Sequence, residues 1–213
     1  MRLILLGPPG SGKGTQAKLL CERRQLVHVG TGDILREAIR QGTELGRRAE
    51  PYVKKGLLVP DDLVNDLVNE RFRRPDRPQC FVMDGYPRTL AQAHAFDATL
   101  RQQMLSLDAV VFVAVPDEVL VRRMSGRLSC PRDKRTYHVS NNPPPRPGYC
   151  ECGTALIQRP DDKEETVRER LRQYHQNTED LIPYYKAQGL LRDVDGVGGI
   201  EEVFGRIERV LDR

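Results

Sequence analysis

Residues 7–15 read GPPGSGKGT, and four glycines around one lysine are a composition suited to holding a polyphosphate. Glycines at 7, 10, 12 and 14 let the backbone turn tightly and aim its N–H groups inward, where the dipole of a following helix strengthens their pull on an anion. Lys13 sets a cation against the outer phosphates, and Gly10, Ser11, Gly12, Gly14 and Thr15 are the remaining candidate contacts. The context fits such a loop, with the apolar run LILL before it and a helical pattern after it. In the commonest form of this motif the lysine is followed directly by Ser or Thr for Mg²⁺. Here Gly14 intervenes and the hydroxyl belongs to Thr15, which argues against a switch GTPase or a motor ATPase.

The elements that position this loop follow from hydrophobic patterning. Strands are expected at 2–6, 26–29, 80–84, 109–115 and 191–195, and helices at about 13–24, 33–41, 61–73, 89–104, 117–127, 162–188 and 200–211. Strands alternating with helices imply an α/β fold, a five-stranded parallel sheet with helices on both faces. The continuous runs LILL and VVFVAV suit strands buried on both sides. Asp162 and Glu165 have the spacing of a capping box. Val167, Leu171, Tyr174, Thr178 and Leu181 then follow at helical spacing, and Gly189 is expected to end that helix.

Two stretches do not fit a compact repeat of strand and helix. Residues 30–59 are helical in pattern but polar and glycine-punctuated. Residues 126–161 hold CPRDKRTYHV and NPPPRPGYCECG and read as a small β- and turn-rich insertion. Both are expected to sit as subdomains on a core built from 1–29, 60–125 and 162–213.

Composition sets outer limits. The chain has 213 residues, 38% of them hydrophobic, enough for one sizeable core with insertions. A net charge of +4 is too small and too dispersed to argue for nucleic acid. The first apolar run is four residues long, short of the roughly 7–15 of a secretory signal, and no run approaches the ~18 of a membrane span. A soluble, cytoplasmic protein without a membrane partner is expected. Five cysteines in a reducing compartment imply no disulfides. Cys21 and Cys80 lie in apolar segments and read as small core residues, whereas Cys130, Cys150 and Cys152 cluster.

Along nearly its whole length the sequence resembles the bacterial adenylate kinases, nucleoside monophosphate kinases of the long-lid type. Four motifs carry the likeness in the right order: GPPGSGKGTQA from residue 7, TGDILR at 31–36, DGYPRTLAQA at 84–93 and RPDDKEETVRERL at 159–171. The resemblance implies a P-loop NTPase-like fold, with 30–59 as an AMP-binding helical insertion and 126–161 as a lid. It implies Mg²⁺-dependent, reversible phosphoryl transfer between ATP and AMP, giving two ADP; a monomer is the simplest expectation, because the site is complete in one chain. Carried over by position, Thr31, Arg36, Leu58, Val59, Gly85, Arg88 and Gln92 form the AMP site. Arg36 and Arg88 hold its phosphate and Gln92 reads the adenine edge. Similar pyrimidine-specific kinases tend to have a smaller residue in place of Thr31. Arg123, Arg159 and Arg170 join Lys13 and Arg88 around the transferring group. Arg127 and Tyr137 belong to the ATP site, with Arg127 near its adenine. Asp161 and Asp162 pair with arginines on closure, and Asp84 orients water on Mg²⁺.

The chemistry itself asks for such residues. A phosphate acceptor is already anionic at neutral pH, so no general base is needed. The difficulty lies in joining two polyanions while charge spreads over the moving group, and cations held in place resolve it. Guanidinium forks suit phosphate oxygens better than ammonium does. The insertions would exclude water, which otherwise competes as acceptor.

Adenylate kinases resembling this one often carry a four-ligand metal site in the lid, with two pairs of ligands spaced x₂ apart. Here the first pair is Cys130 and Asp133, and the second, Cys150 and Cys152, is one residue shorter. Three sulfurs and a carboxylate can surround Zn²⁺ tetrahedrally in a structural site. His138 is an alternative fourth ligand, and the alternative to a metal is a lid with free thiols held by hydrogen bonds. Among competing functions, a kinase for UMP, CMP or GMP is disfavoured by Thr31 and Gln92. A nucleic-acid-binding NTPase leaves the arginine motifs unexplained, and nothing supports an inactive scaffold.

Overall fold

The computed structural model describes residues 1–212, and Arg213, the last residue of the expected core, lies outside the described residues. From the N-terminus run β1 (Arg2–Leu6), α1 (Lys13–Arg24), β2 (Val27–Gly30), α2 (Thr31–Arg40), α3 (Glu44–Lys55), α4 (Asp61–Arg73), β3 (Phe81–Asp84), α5 (Leu90–Gln102), β4 (Ala109–Ala114) and α6 (Asp117–Ser125). Then come the short strands β5 (Arg127–Ser129) and β6 (Thr136–His138), a 3₁₀ turn (Pro160–Asp162), α7 (Glu164–Asn177), α8 (Leu181–Ala187), β7 (Leu191–Asp195) and α9 (Ile200–Leu211). Five strands form a parallel sheet in the order β2-β3-β1-β4-β7, while β5 and β6 form a separate antiparallel pair.

Side-chain alternation in β1 feeds two cores at once. Leu3 and Leu5 pack with Leu20, Val82, Val111, Leu120 and Phe204 on one face of the sheet. Ile4 and Leu6 pack with Val29, Phe72, Met83, Phe96 and Val110 on the other. Phe72 meets Phe81 and Phe96 edge-on, at centroid distances of 5.1 and 5.4 Å, the geometry that ring quadrupoles favour. Burial on both faces is why the strands read as unbroken apolar runs. Among the described residues no helix is long and apolar enough to cross a membrane.

Three local expectations are corrected. The helix expected over 162–188 is two helices, broken between Asn177 and Leu181, where the Thr178 hydroxyl donates to the Arg88 carbonyl at 2.8 Å. The Thr178 N–H still donates to Tyr174 O, but the Glu179 N–H turns back to that same carbonyl and the i to i−4 ladder stops there. The capping box does not form either. Lys163 precedes α7 with no side-chain cap, and the Asp162 carboxylate is committed to Arg127. Cys80 is exposed, its sulfur 3.2 Å from the N-terminal amino group, because β3 begins only at Phe81.

Candidate active site

Register places the chemistry. Leu5 of β1 and Gly30 of β2 both stand opposite Asp84 of β3, so the segments following these strands share the sheet's carboxyl edge, where open α/β sheets bind ligands. Gly7 turns the chain off β1 at φ 145°, and a Cβ there would meet the Val113 carbonyl at 2.6 Å. A Cβ at position 14 would stand 3.3 Å from Asp84 Oδ2. That crowding accounts for the departure from the common motif: the bare backbone at Gly14 makes room for the Asp84 carboxylate.

At this edge the Lys13 ammonium donates to the carbonyls of Gly7 and Pro8 at 2.7 and 2.8 Å and lies 3.3 Å from Ser11 Oγ. Burial pushes Lys13 down to about 8; Asp84 opposes this, while Arg88, Arg170 and Arg127 add to it. Burial pushes the Asp84 carboxyl up, but His28, Lys13 and Arg88 outweigh it and hold it below the usual carboxylate range. His28 Nε2 is 3.6 Å from Asp84 Oδ2, beyond hydrogen-bond length and within reach of an ion pair.

One strand away, the Thr31 hydroxyl donates to Gly85 O at 3.0 Å and Arg88 Nε donates to the same carbonyl at 2.7 Å. Arg36 pairs with Asp33 at 2.8 Å. Gln92 is buried, accepting from the Arg88 N–H and donating to Asp61, both at 2.7 Å. Leu58 and Val59 line the same wall. Arg88 is held below its ordinary pKa by burial, with Asp84 opposing and Arg36 reinforcing.

The remaining arginines come from α6, β5, the residue before the 3₁₀ turn and α7. Arg123 donates to Gly196 O at 3.1 Å, Arg159 to Ser129 Oγ at 2.8 Å, and Arg170 to Asp161 Oδ2 at 2.8 Å. Arg127 forks onto the fully buried Asp162, its Nε 2.8 Å from Oδ2. Burial pushes Arg170 down to about 10. Lys13, Arg36, Arg88, Arg123, Arg127, Arg159 and Arg170 thus line one cavity of about 1080 Å³. Counting Lys18, Lys134 and Arg135, ten basic side chains line it against six carboxylates, a net positive surface that suits a polyanion.

In the antiparallel insertion Cys130, Asp133, Cys150 and Cys152 bring their ligand atoms within 4.8 Å of one another. Cys130 Sγ is 3.5 Å from Cys152 Sγ, and Cys150 Sγ is 3.2 Å from Asp133 Oδ2. A tetrahedron of bonds of about 2.3 Å has edges of about 3.8 Å, so the donors are placed for one ion. His138 stands outside this cluster: its Nδ1 accepts from the Ser140 and Asn141 N–H groups, both at 3.1 Å. Tyr137 lines the cavity from the same strand.

Sequence reading missed several partners. Asp33 beside Arg36, Asp61 beside Gln92, His28 beside Asp84 and Ser129 beside Arg159 each hold a site residue in place. Asp33 alone carried a signal, since it lies inside TGDILR. The others are separated from their partners by 30 or more residues, and no local pattern reports such a contact.

The adenylate kinase family model matches residues 5–190. Adenylate kinase of Archaeoglobus fulgidus is 50% identical over 100% of this chain and 99% of its own length. That of Moorella thermoacetica is 49% identical over 100% and 99%, and that of Anaeromyxobacter sp. (strain K) 49% identical over 100% of both. Likeness that spans the whole chain, and not the phosphate loop alone, carries the conclusion: this chain belongs to the adenylate kinase family.

Proposed function

We infer that this chain transfers a phosphoryl group reversibly between Mg·ATP and AMP, producing two ADP and keeping the adenine nucleotides in balance. As an adenylate kinase it is a phosphotransferase of the nucleoside monophosphate kinase class. The observation that carries the specific reaction is one cavity with two phosphate-holding ends. The Lys13 loop after β1 forms one end, and Arg36 and Arg88, from the segments after β2 and β3, form the other.

In this reading the acceptor phosphate oxygen attacks the γ-phosphorus as its bond to the β–γ bridging oxygen breaks. Lys13, Arg88, Arg123, Arg159 and Arg170 take up the spreading charge. Thr31, Leu58, Val59, Gly85 and Gln92 seat AMP, while Gly10, Ser11, Gly12, Gly14, Thr15, Arg127 and Tyr137 seat ATP. Mg²⁺ arrives with ATP and neutralises its outer phosphates. Asp84 and Thr15 would face it, and the space left by Gly14 beside Asp84 fits that role. Residues 30–59 act as the AMP-binding domain and 126–161 as a lid on the core, with Asp161 and Asp162 anchoring arginines at the lid's base. The chain works as a cytoplasmic monomer, since every group required lies in one chain.

Cys130, Asp133, Cys150 and Cys152 would hold structural Zn²⁺, three thiolates and a carboxylate being a borderline-soft set that leaves no open position. The ion would hold together a lid whose own buried cluster is only Cys130, Tyr137 and Cys150.

The deciding measurement is ADP formation from Mg·ATP with AMP, UMP, CMP or GMP offered separately, beside a control without acceptor. Turnover with AMP alone is expected. Preference for another acceptor would overturn the roles of Thr31 and Gln92, and hydrolysis without acceptor would overturn the reaction.

A further inference from the structure

Tyr137 stands between two sites. Its ring is 6% exposed, packs on Cys130 and Cys150, and borders the nucleotide cavity. Its hydroxyl oxygen is 3.5 Å from Cys150 Sγ and also 3.5 Å from the Glu151 backbone nitrogen. The Glu151 N–H can only donate, so it occupies the tyrosine oxygen as acceptor and leaves the hydroxyl proton for the sulfur. As a thiol, Cys150 donates to Asp133 Oδ2. As a metal-bound thiolate it has no proton and can only accept.

We propose that the Tyr137 hydroxyl donates a hydrogen bond to Cys150 as a metal ligand, setting the metal affinity of the lid and tying the metal site to the wall of the nucleotide cavity. This rests on the reading of the four-residue cluster as a metal site. The other thiolates have different neighbours: Cys152 lies 3.3 Å from the Thr154 hydroxyl, and Cys130 lies 3.5 Å from the Asp133 N–H. Thr154 does not line the nucleotide cavity, whereas Tyr137 does, beside the ligand Asp133. A partner that orients a ligand and offsets part of its charge changes metal affinity by about 10–100-fold when removed. Phenylalanine keeps the ring packing and removes the hydroxyl proton.

The test uses the full chain with Zn²⁺ or Co²⁺ as probe. Zinc affinity is measured by competition with a chromophoric chelator for the wild type and Tyr137→Phe. The sulfur-to-cobalt charge-transfer band is recorded for both at saturating Co²⁺. Expected are one Zn²⁺ per wild-type chain, an affinity about 10–100-fold weaker in the variant, and a band moved to longer wavelength, because a thiolate that loses a hydrogen bond is easier to oxidise. A merely structural effect would not move the band at saturation. Wild type that takes up no Zn²⁺ would overturn the metal site itself. Wild type that binds, beside a variant of equal affinity with an unmoved band, would overturn this inference alone.

Discussion

Lys134, carried by the turn between β5 and β6, places its ammonium 3.6 Å from the Glu37 carboxylate of α2. Residues 126–161 and 30–59 therefore touch through this pair. The contact has a second strand, since Lys18 of α1 donates to the Lys134 carbonyl at 3.3 Å. Lys134 sits at φ 60°, a backbone region that lysine adopts at a cost, and the Cys130–Asp133 loop directs it there.

If this pair helps hold the lid shut, Glu37→Gln should raise the KM for both nucleotides by roughly two- to fivefold, the reach of an exposed ion pair. The difference from wild type should fade as salt rises, because Lys134 is 55% exposed and its charge is screened. KM measured against ionic strength checks this. Parallel curves for the two proteins would show that the pair adds nothing to closure.

Lys13 predicts a pH profile. Its pKa lies at about 8 in the folded chain, against an ordinary value of 10.5. The unfolded state therefore binds more protons between these values, and this group makes stability rise with pH from about 8 to 10.5. Activity runs the other way, since phosphate needs the charged ammonium. The kcat/KM for ATP should fall above about pH 8, while kcat holds to higher pH because bound phosphate stabilises the proton. A kcat/KM that stays level to strongly alkaline pH would contradict the buried ammonium. Lys13→Met should lower kcat by about 10²–10³-fold or more with little change in the melting temperature. Near-normal turnover would remove Lys13 from the mechanism.

The legibility of this chain in its sequence followed the range of the interactions. The bounds of β1, α1, α4 and β7 agree with the apolar pattern because local periodicity and sheet burial demand the same residues. The phosphate loop was legible because its glycines answer to backbone geometry nearby. The break after Asn177 was not, since Thr178 is drawn to a carbonyl 90 residues away. Asp162 was read as a cap for the same reason: its partner Arg127 lies 35 residues upstream.

That pair gives a stability test. Asp162 is fully buried and Arg127 is 20% exposed, so Asp162→Asn leaves a mostly buried guanidinium without its counter-charge. Losing one partner of a buried pair costs about 3–5 kcal/mol, and the exposed part of Arg127 puts the expectation near about 3 kcal/mol. Urea unfolding measures it. A change below about 1 kcal/mol would place the pair among exposed ones in energy. Asp162→Leu should cost more than Asn, because the amide oxygen of Asn still accepts one guanidinium hydrogen bond and Leu accepts none.

Arg88 separates the two ends of the cavity. Its Nε is held by Gly85 O, its backbone N–H by Gln92 and its carbonyl by Thr178, so the guanidinium enters the acceptor end from a braced loop. Hydrogen bonds to a charged group are worth about 1.5–3 kcal/mol, so Arg88→Ala should raise the KM for AMP by roughly 10–100-fold. The KM for ATP should change far less, because the phosphate loop that receives ATP is built on a different strand end. Steady-state kinetics with each substrate varied in turn tests this directly. Equal rises in both constants would leave Arg88 with its role at the transferring group alone, and Arg36 would then remain as the acceptor's main cation.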